Sequence, residues 1–311
     1  MKTPSLRVDQ LRLRDLSLLD HLAQTGSLRI TAQRLHVTQP AVTQALKVLE
    51  QAFGMALVQR GQRGQRGVSL TPAGQAALVR LRVAREEVLA AQRAASSPQV
   101  TTLRVGVLPV AMFHVLPRVL VRLREAMPQV HVELLESTVS GLWQALADGK
   151  IDAMVGLFPS PGEYSALPQG VAYRQLAQGG APLVIAASRS RRESAGTKPT
   201  LQWLARQHWV LPPPGAFTRM SFDQMFVRAG LTPPPAAISS SSFYSNLQMA
   251  AASELLTVAP EPAVRTFGQA LKLKIVEAPW GEQDSGVVLA VRDFSQLHPA
   301  LQAFQDCFRD L

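Results

Sequence analysis

Apolar residues recur at helical spacing in the N-terminal part of the chain. Between Thr38 and Gly54 they fall on one face of a predicted helix, formed by Val42, Ala45, Leu46 and Leu49. Thr38 stands where an N-cap is expected, and Pro40 falls in the first turn, where its missing N–H breaks no helical bond. The pattern therefore predicts an amphipathic helix that begins just after the turn at His36 and Val37.

The opposite face of this helix is polar near its N-terminal end. A rotation of about 100° per residue places four side chains there together, namely Pro40, Thr43, Gln44 and Lys47. They offer hydrogen-bond donors, acceptors and one positive charge, which is typical of a helix that reads base edges in the major groove of DNA.

Local signals place further elements around this helix. Gly26 and Ser27 form a turn and an N-cap, and the helix that follows has the buried stripe Leu28, Ala32 and Leu35. Leucines at every third position, Leu13, Leu16, Leu19 and Leu22, predict a third helix upstream. Two short strands, Leu57–Val58 and Val68–Leu70, flank the glycine-rich run at 61–67 and predict a wing. Arginines in and beside the wing, Arg60, Arg63 and Arg66, supply charge for phosphates or for the minor groove.

A weaker interpretation is that a three-helix pattern occurs in many helical domains, and that an arginine-rich loop is simply solvated. The coincidence of pattern, cap, polar face and wing favours a winged helix-turn-helix. The candidate DNA contacts are Ser27, Thr38, Gln39, Pro40, Thr43, Gln44, Lys47, Arg60, Arg63 and Arg66.

This region resembles the LysR-type transcriptional regulators. The resemblance is carried by the motif residues Gly26-Ser27, Ala32, Leu35 to Ala41, Thr43, Leu49-Glu50, Gly54, Leu57, Arg60 and Leu70 to Gly74. The wing departs from the family pattern because its loop is longer, with GQR repeated in tandem. The resemblance implies a winged domain at 11–71 that binds inverted half-sites of double-stranded DNA.

A long helix is predicted over 72–97, with Thr71 as its cap and Pro72 in its first turn. Small and apolar residues step by four and three along it, as in a coiled-coil seam: Ala77, Leu81, Ala84, Val88, Ala91 and Ala95. Packing against its own domain is the alternative, whereas the family resemblance favours a linker helix that forms a dimer. Ser96 to Pro98 then make a hinge.

From Thr101 onward, strands and helices alternate, which predicts α/β architecture with a largely parallel sheet. The resemblance implies a two-lobed effector-binding domain over 98–311, similar to a periplasmic binding protein. Lobe 1 is expected at about 101–170 and 276–311, and lobe 2 at about 171–275. The predicted class is therefore α/β, with an N-terminal winged helix-turn-helix and a linker helix. Family members of this type commonly form tetramers, and we expect one here.

Ligands of such domains bind beyond the carboxyl ends of strands, between the lobes. Comparison with the family pattern places five candidate residues there: Val110, Thr138 (or Ser137), Phe217, Thr218 and Ser241 within the run Ser239–Ser242. Hydroxyls beside a helix N-terminus suit an anionic group, and Phe217 suits an apolar ring, so we expect a small organic anion as effector. Each candidate has an ordinary alternative, because serine runs form loops and Phe residues fill cores. Val110 stands where many members have Ser or Thr.

Charge is concentrated near the predicted DNA-binding helix. Residues 1–97 carry 14 Lys and Arg against 6 Asp and Glu, whereas residues 98–311 carry 18 against 16. A surface that attracts membranes in general would not be so segregated, and the sequence holds no apolar run long enough to span one. No export signal is apparent and Cys307 is the single cysteine, so we expect a cytoplasmic protein.

Sequence motifs for catalysis are lacking, so we expect neither an enzyme nor a bound metal or cofactor. There is no nucleophile-elbow motif, zincin motif, P-loop or metal-ligand spacing of Cys and His. Asp148 and Asp152 are close in sequence, but their positions indicate turns rather than an acid–base pair. Two rival classes remain: a solute-binding protein, which would need export, and an enzyme fused to a DNA-binding module, which would need a perturbed nucleophile in the cleft.

Overall fold

A computed structural model describes residues 11–60, 67–96, 101–113, 115–159, 171–177, 182–191, 199–277, 285–292 and 299–309. The chain divides into two compact units. The first comprises Met1–Gln99 with Ala147–Lys150, and the second comprises Val100–Leu146 with Ile151–Leu311. Among the described helices, none is both long enough and apolar enough to cross a membrane.

The first unit contains helices and a short hairpin. In chain order its elements are a 3-10 helix (Leu13–Ser17), α1 (Leu18–Thr25), α2 (Leu28–Arg34), α3 (Gln39–Phe53), β1 (Val58–Arg60), β2 (Val68–Leu70) and α4 (Pro72–Ser96). The predicted caps are confirmed: side chains of Ser27, Thr38 and Thr71 accept the N–H groups of Ile30, Ala41 and Gly74. The chain leaves α1 at Gly26 (φ 59°) and α3 at Gly54 (φ 69°), a left-handed backbone that favours glycine.

Two apolar clusters hold this unit together. One joins α1, α2 and α3 through Leu18, Leu22, Ala32 and Val42. The other brings the first half of α4 against α1, α3 and the start of the hairpin, through Leu19, Leu49, Leu57, Ala77, Leu78 and Leu81. Ala77 and Leu81 are therefore buried in their own unit, which corrects their prediction as part of a dimer seam. Ala84, Val88, Ala91 and Ala95, the remaining seam residues, are exposed.

The second unit alternates strands and helices, as predicted. Its elements are β3 (Thr101–Val107), a 3-10 helix (Pro109–Phe113), α5 (Leu116–Ala126), β4 (Val130–Glu136), α6 (Val139–Ala147), β5 (Ala153–Pro159), β6 (Val171–Ala177), β7 (Leu183–Ser188), α7 (Leu201–Ala205), β8 (Trp209–Leu211), α8 (Phe217–Arg228), β9 (Ala236–Ser239), α9 (Phe243–Ala251), β10 (Leu256–Pro260), α10 (Glu261–Phe267), β11 (Leu273–Val276), β12 (Ser285–Arg292) and α11 (Pro299–Asp306).

These strands form one sheet in each lobe. The lobe 1 sheet has the order β4-β3-β5-β12-β6, and the lobe 2 sheet has the order β11-β7-β10-β8-β9. In lobe 1 the neighbours β4, β3 and β5 are parallel, and β12 pairs antiparallel with β5 and with β6. In lobe 2 the neighbours β10, β8 and β9 are parallel, and β7 pairs antiparallel with β10 and with β11. The central strands β3 and β10 are buried along most of their length because helices cover both faces.

The strand pairings confirm the largely parallel character and correct one boundary. In each described sheet four of the five strands run in the same direction, and the reversed strand is β12 in lobe 1 and β7 in lobe 2. β6, however, pairs with β12 in lobe 1, although residues from 171 onward were assigned to lobe 2. The strand VAYRQLA is an edge strand whose partner lies more than a hundred residues away in sequence, so no local pattern revealed the pairing.

A buried ionic cluster lies at the N-terminal end of β5 in lobe 1. The Asp152 carboxylate accepts the backbone N–H of Arg104 at 2.8 Å and the guanidinium Nη2 of Arg104 at 2.5 Å. Arg292, on β12, lies 3.8 Å from the same carboxylate and donates to the carbonyl oxygens of Leu146 and Ile151. Asp152 thus anchors three segments, a role beyond the turn residue that the sequence predicted.

Candidate nucleic-acid interface and effector cavity

The turn between α2 and α3 is held by backbone hydrogen bonds and one unusual residue. His36 has a left-handed backbone (φ 53°), and its N–H donates to the Gln33 carbonyl at 3.2 Å. The next N–H, of Val37, returns to the Ala32 carbonyl at 3.0 Å. Because Ala32 and Val42 are both buried in the core between the helices, α3 has a fixed orientation on α2.

The polar face predicted for α3 is exposed. Its exposed residues include Thr38, Gln39, Pro40, Thr43, Gln44 and Lys47. The Thr43 hydroxyl donates to the Gln39 carbonyl at 3.1 Å, so its oxygen is left as an acceptor. The side chains of Gln44 and Lys47 have no hydrogen bond or ion pair with any residue that the structure describes. They are therefore available to an external partner.

The hairpin that forms the root of the wing is tied to both neighbouring helices. The N–H of Val68, at the start of β2, donates to the Gly26 carbonyl at 2.8 Å, beside the half-buried cap Ser27. The Glu50 carboxylate, on α3, accepts the N–H groups of Leu57 (2.8 Å) and Val58 (3.1 Å). Glu50 belongs to the family motif, but no role was predicted for it from the sequence. Arg60 is the last residue of β1, and its side chain is not described. The other two predicted wing contacts, Arg63 and Arg66, lie outside the described residues.

Charged groups brace α1 against the linker helix α4. The guanidinium of Arg82 binds the Asp20 carboxylate at 2.7 Å, and that of Arg85 approaches it at 3.4 Å. Burial by itself raises the pKa of Asp20, but the hydrogen bond and charge of Arg82 outweigh it and hold that pKa below its ordinary value. The brace fixes the direction in which α4 leaves the winged domain.

The second unit contains a cavity of about 270 Å³ between its lobes. All five predicted effector residues, Val110, Thr138, Phe217, Thr218 and Ser241, lie on its wall. Lobe 1 contributes the ends of β3 and β4, and lobe 2 contributes the ends of β8 and β9 with the first turns of α8 and α9. This is the position where ligands bind in sheets of this type.

Three helices begin at this cavity, and their N-termini differ. Thr138 caps α6 by accepting the Gly141 N–H, and Ser242 caps α9 by accepting the Ser245 N–H. α8 begins at Ala216, which has no side chain that can cap it. Thr218, in the first turn of α8, is only 3% exposed, and its hydroxyl has no hydrogen bond with any described residue. The start of α8 thus offers hydrogen-bonding groups that no capping side chain satisfies.

Most of the remaining wall is apolar, with one acidic residue. The apolar part is completed by Leu108, Pro109, Pro212, Pro213, Ala216 and Phe243. Ser137 adds a hydroxyl group. Glu136 also lines the cavity, at the end of β4, and no Lys, Arg or His lines it within the part of the chain that the structure describes. Glu136 was not among the predicted effector residues, although its position directly before Ser137 at a strand end was the available signal.

Cys307 is half-buried after α11. Burial raises the pKa of its thiol, and the neighbouring positive charge of Arg122 only partly opposes that effect. Because the thiolate is the reactive form, this environment does not favour reactivity.

Comparison with protein families gives two matches that together span most of the chain. Residues 13–75 match the family described as bacterial regulatory helix-turn-helix protein, lysR family. Residues 96–311 match the LysR substrate binding domain.

Curated proteins with similar sequences are transcriptional regulators. The regulator TfdS of Cupriavidus pinatubonensis is 32% identical over 236 residues, which cover 73% of this chain and 75% of that protein. The regulator GalR of Pseudomonas putida is 31% identical over 71% of this chain. The chain matches only part of some relatives: the alignments span 54% of the length of GalR, 66% of ClcR and 61% of TdcA.

Solved structures share the fold over nearly the whole chain. Full-length OxyR of Pseudomonas aeruginosa superposes with a TM-score of 0.59 at 20% identity, covering 96% of this chain and 95% of that one. Full-length CbnR, solved in complex with its target DNA, superposes with a TM-score of 0.55 at 23% identity, covering 96% and 99%.

Proposed function

The chain belongs to the LysR family of bacterial transcriptional regulators, and from this membership we propose that it binds specific DNA sequences under the control of a small organic effector. In this proposal α3 enters the major groove of double-stranded DNA and the wing contacts the backbone beside it. Because the family consists of regulators, we assign no enzymatic reaction to the cavity, and we propose a cytoplasmic location, where the DNA is accessible.

The exposed polar face of α3 carries the proposal for DNA binding. Gln44 and Lys47 lie near the N-terminal half of the helix and have no partner among the described residues. A glutamine amide is suited to paired hydrogen bonds with adenine, whereas a lysine ammonium binds phosphates or guanine. Helix-turn-helix proteins place this part of the second helix against the base edges.

Replacing Gln44 by alanine is expected to relax base preference, by about 1–3 kcal/mol of discrimination if one base-edge contact is lost. Lys47→Ala is expected to weaken binding to all sequences alike and to lower the salt slope by about one. Both effects are measured by gel shift on the intergenic DNA beside the gene, in a series of salt concentrations.

Gln51→Ala is the matched control for Gln44→Ala. Gln51 is also exposed on α3, seven residues farther along, or about 10 Å at the helical rise. We expect the DNA affinity and the base preference of Gln51→Ala to stay close to those of the unchanged protein. If Gln44→Ala and Lys47→Ala also left both quantities unchanged, α3 would not be the reading helix.

We propose that the protein self-associates to a dimer through α4 and further to a tetramer through the effector unit. The C-terminal half of α4 exposes Val88 and Leu89 beside the small residues Ala84, Ala91 and Ala95. In the effector unit, large apolar side chains are exposed on α5 and the edge strand β4, and on α8 and the edge strand β9: Val121, Leu134, Leu135, Met220, Val227 and Ile238. Such surfaces support pairing between copies. A two-fold dimer would require inverted half-sites in the operator.

Val88→Asp combined with Leu89→Asp is expected to dissolve the dimer made by α4, because two charges would enter an apolar helix pair. Sedimentation velocity of the full chain measures the change in mass. Ala94→Asp is the control, since Ala94 is exposed on the same helix but lies about 120° around it from Val88 and about 140° from Leu89. A double variant with unchanged mass and unchanged DNA binding would rule out this part of α4 as the dimer surface.

The cavity between the lobes is the proposed effector site. Its support is the convergence of five predicted residues from both lobes on one cavity, together with the uncapped start of α8. An effector regulates only if it binds one arrangement of the protein more tightly than another, and a preference of about 1–3 kcal/mol is typical.

A further inference from the structure

We propose that Glu136 determines the specificity of the cavity by admitting an effector with one anionic group and excluding an effector with two. This inference rests on the proposed function of the cavity as the effector site. It depends on where the lining residues place hydrogen-bond donors, free volume and negative charge.

Among the described residues that line the cavity, the start of α8 is the position that suits an anionic group. Ala216 leaves the first N–H groups of this helix without a capping side chain, and the helix dipole favours a negative charge there. Thr218, buried on the same turn, adds a hydroxyl that has no hydrogen bond with any described residue. At α6 and α9, by contrast, Thr138 and Ser242 already accept an N–H of the helix.

The volume of the cavity limits the rest of the molecule. A cavity of about 150 Å³ lined by apolar side chains accommodates benzene in another protein, so about 270 Å³ has room for one six-membered ring with one or two substituents. Phe217, Phe243 and Val110 provide apolar surface for such a ring.

Charge then restricts the second substituent. Thr218 lies on the lobe 2 wall, and Glu136 lies on the lobe 1 wall at the end of β4. A ring with its first carboxylate at α8 extends toward lobe 1. A second carboxylate there would approach the Glu136 side chain, and among the described residues no basic side chain lines the cavity to offset the repulsion. A neutral or hydrogen-bond-donating substituent has no such conflict.

Three probes of one ring size test this proposal: benzoate, benzamide and isophthalate. Their dissociation constants are measured by calorimetry on the full chain and on four variants. For the unchanged protein we expect benzoate to bind at least tenfold more tightly than benzamide or isophthalate. Thr218→Val should weaken benzoate about tenfold, because its hydroxyl is lost at nearly constant volume.

Glu136→Gln should strengthen isophthalate binding at least tenfold and change benzoate binding less than threefold. Glu136→Ala is the second variant, which removes the carboxylate without adding an amide. Glu133→Gln is the matched control, because Glu133 is an exposed acidic residue of the same strand that does not line the cavity. It should leave all three constants unchanged.

Equal binding of benzoate and isophthalate to the unchanged protein would overturn the proposal. So would a benzoate-to-isophthalate ratio that stays the same in both Glu136 variants, or a complete lack of benzoate binding. Gel shift without any probe tests the proposed function separately. If the protein bound no specific DNA, its proposed function as a regulator would be contradicted, but the ratio of the benzoate and isophthalate dissociation constants would be unaffected.

Discussion

Replacing Asp152 by alanine is expected to cost the effector unit about 3–5 kcal/mol of its free energy of unfolding, the range typical of a broken buried ion pair. The Asp152 carboxylate binds the backbone and the guanidinium of Arg104 and lies near the guanidinium of Arg292. All three residues are buried, so the substitution leaves two positive charges in the interior without this carboxylate. Chemical denaturation followed by tryptophan fluorescence measures the loss.

Asp306→Ala provides the contrast, because Asp306 is also paired with an arginine. Its carboxylate binds Arg309 at 2.9 Å on the surface, where the side chain of Asp306 is 48% exposed. Solvent screens such a pair, and we expect a loss of about 1 kcal/mol or less. Equal losses for the two variants would show that burial does not determine the contribution of Asp152.

Gly74→Ala is expected to destabilise the winged domain by about 1–3 kcal/mol through overpacking. Sequence alone predicts the opposite sign, because alanine favours a helix interior over glycine by about 1 kcal/mol. A Cβ at Gly74 would overlap the Leu57 carbonyl oxygen and lie 2.9 Å from its carbon. This carbonyl cannot move freely, since it accepts the Thr71 N–H at 3.0 Å, and Glu50 holds the Leu57 N–H.

Ala76→Gly is the control for the effect of helix propensity. Ala76 is exposed on the same turn of α4, and its replacement should cost about 1 kcal/mol without any steric change. Thermal unfolding of the full chain gives the stabilities, and gel shift reports whether α4 still positions the winged domain on DNA. A gain in stability for Gly74→Ala would contradict the close approach of α4 to Leu57.

The helix-turn-helix was predictable because its signals are local. Caps lie within three residues of the N–H groups that they satisfy, as Ser27 and Thr38 show, and the stripe of α3 repeats within one helix. The left-handed backbone of His36 was not predictable, since the residue type does not require it.

The effector cavity was predictable only in part. Family resemblance and strand ends indicated five wall residues, and the structure brings them together. Glu136 lay at a strand end but lacked a motif. No described residue forms a hydrogen bond with the Thr218 hydroxyl, and this depends on the surroundings of the side chain in space, which the sequence does not record.

The sequence by itself determined the winged domain, the linker helix and the α/β character of the rest, because turns, caps and periodicity act over a few residues. Tertiary structure alone decided that β6 joins lobe 1, that Leu81 is buried within its own unit, and that Asp152 lies between two arginines. Each of these depends on segments far apart in the chain, and their pairing is selected by burial and charge compensation over the whole fold rather than by any local preference.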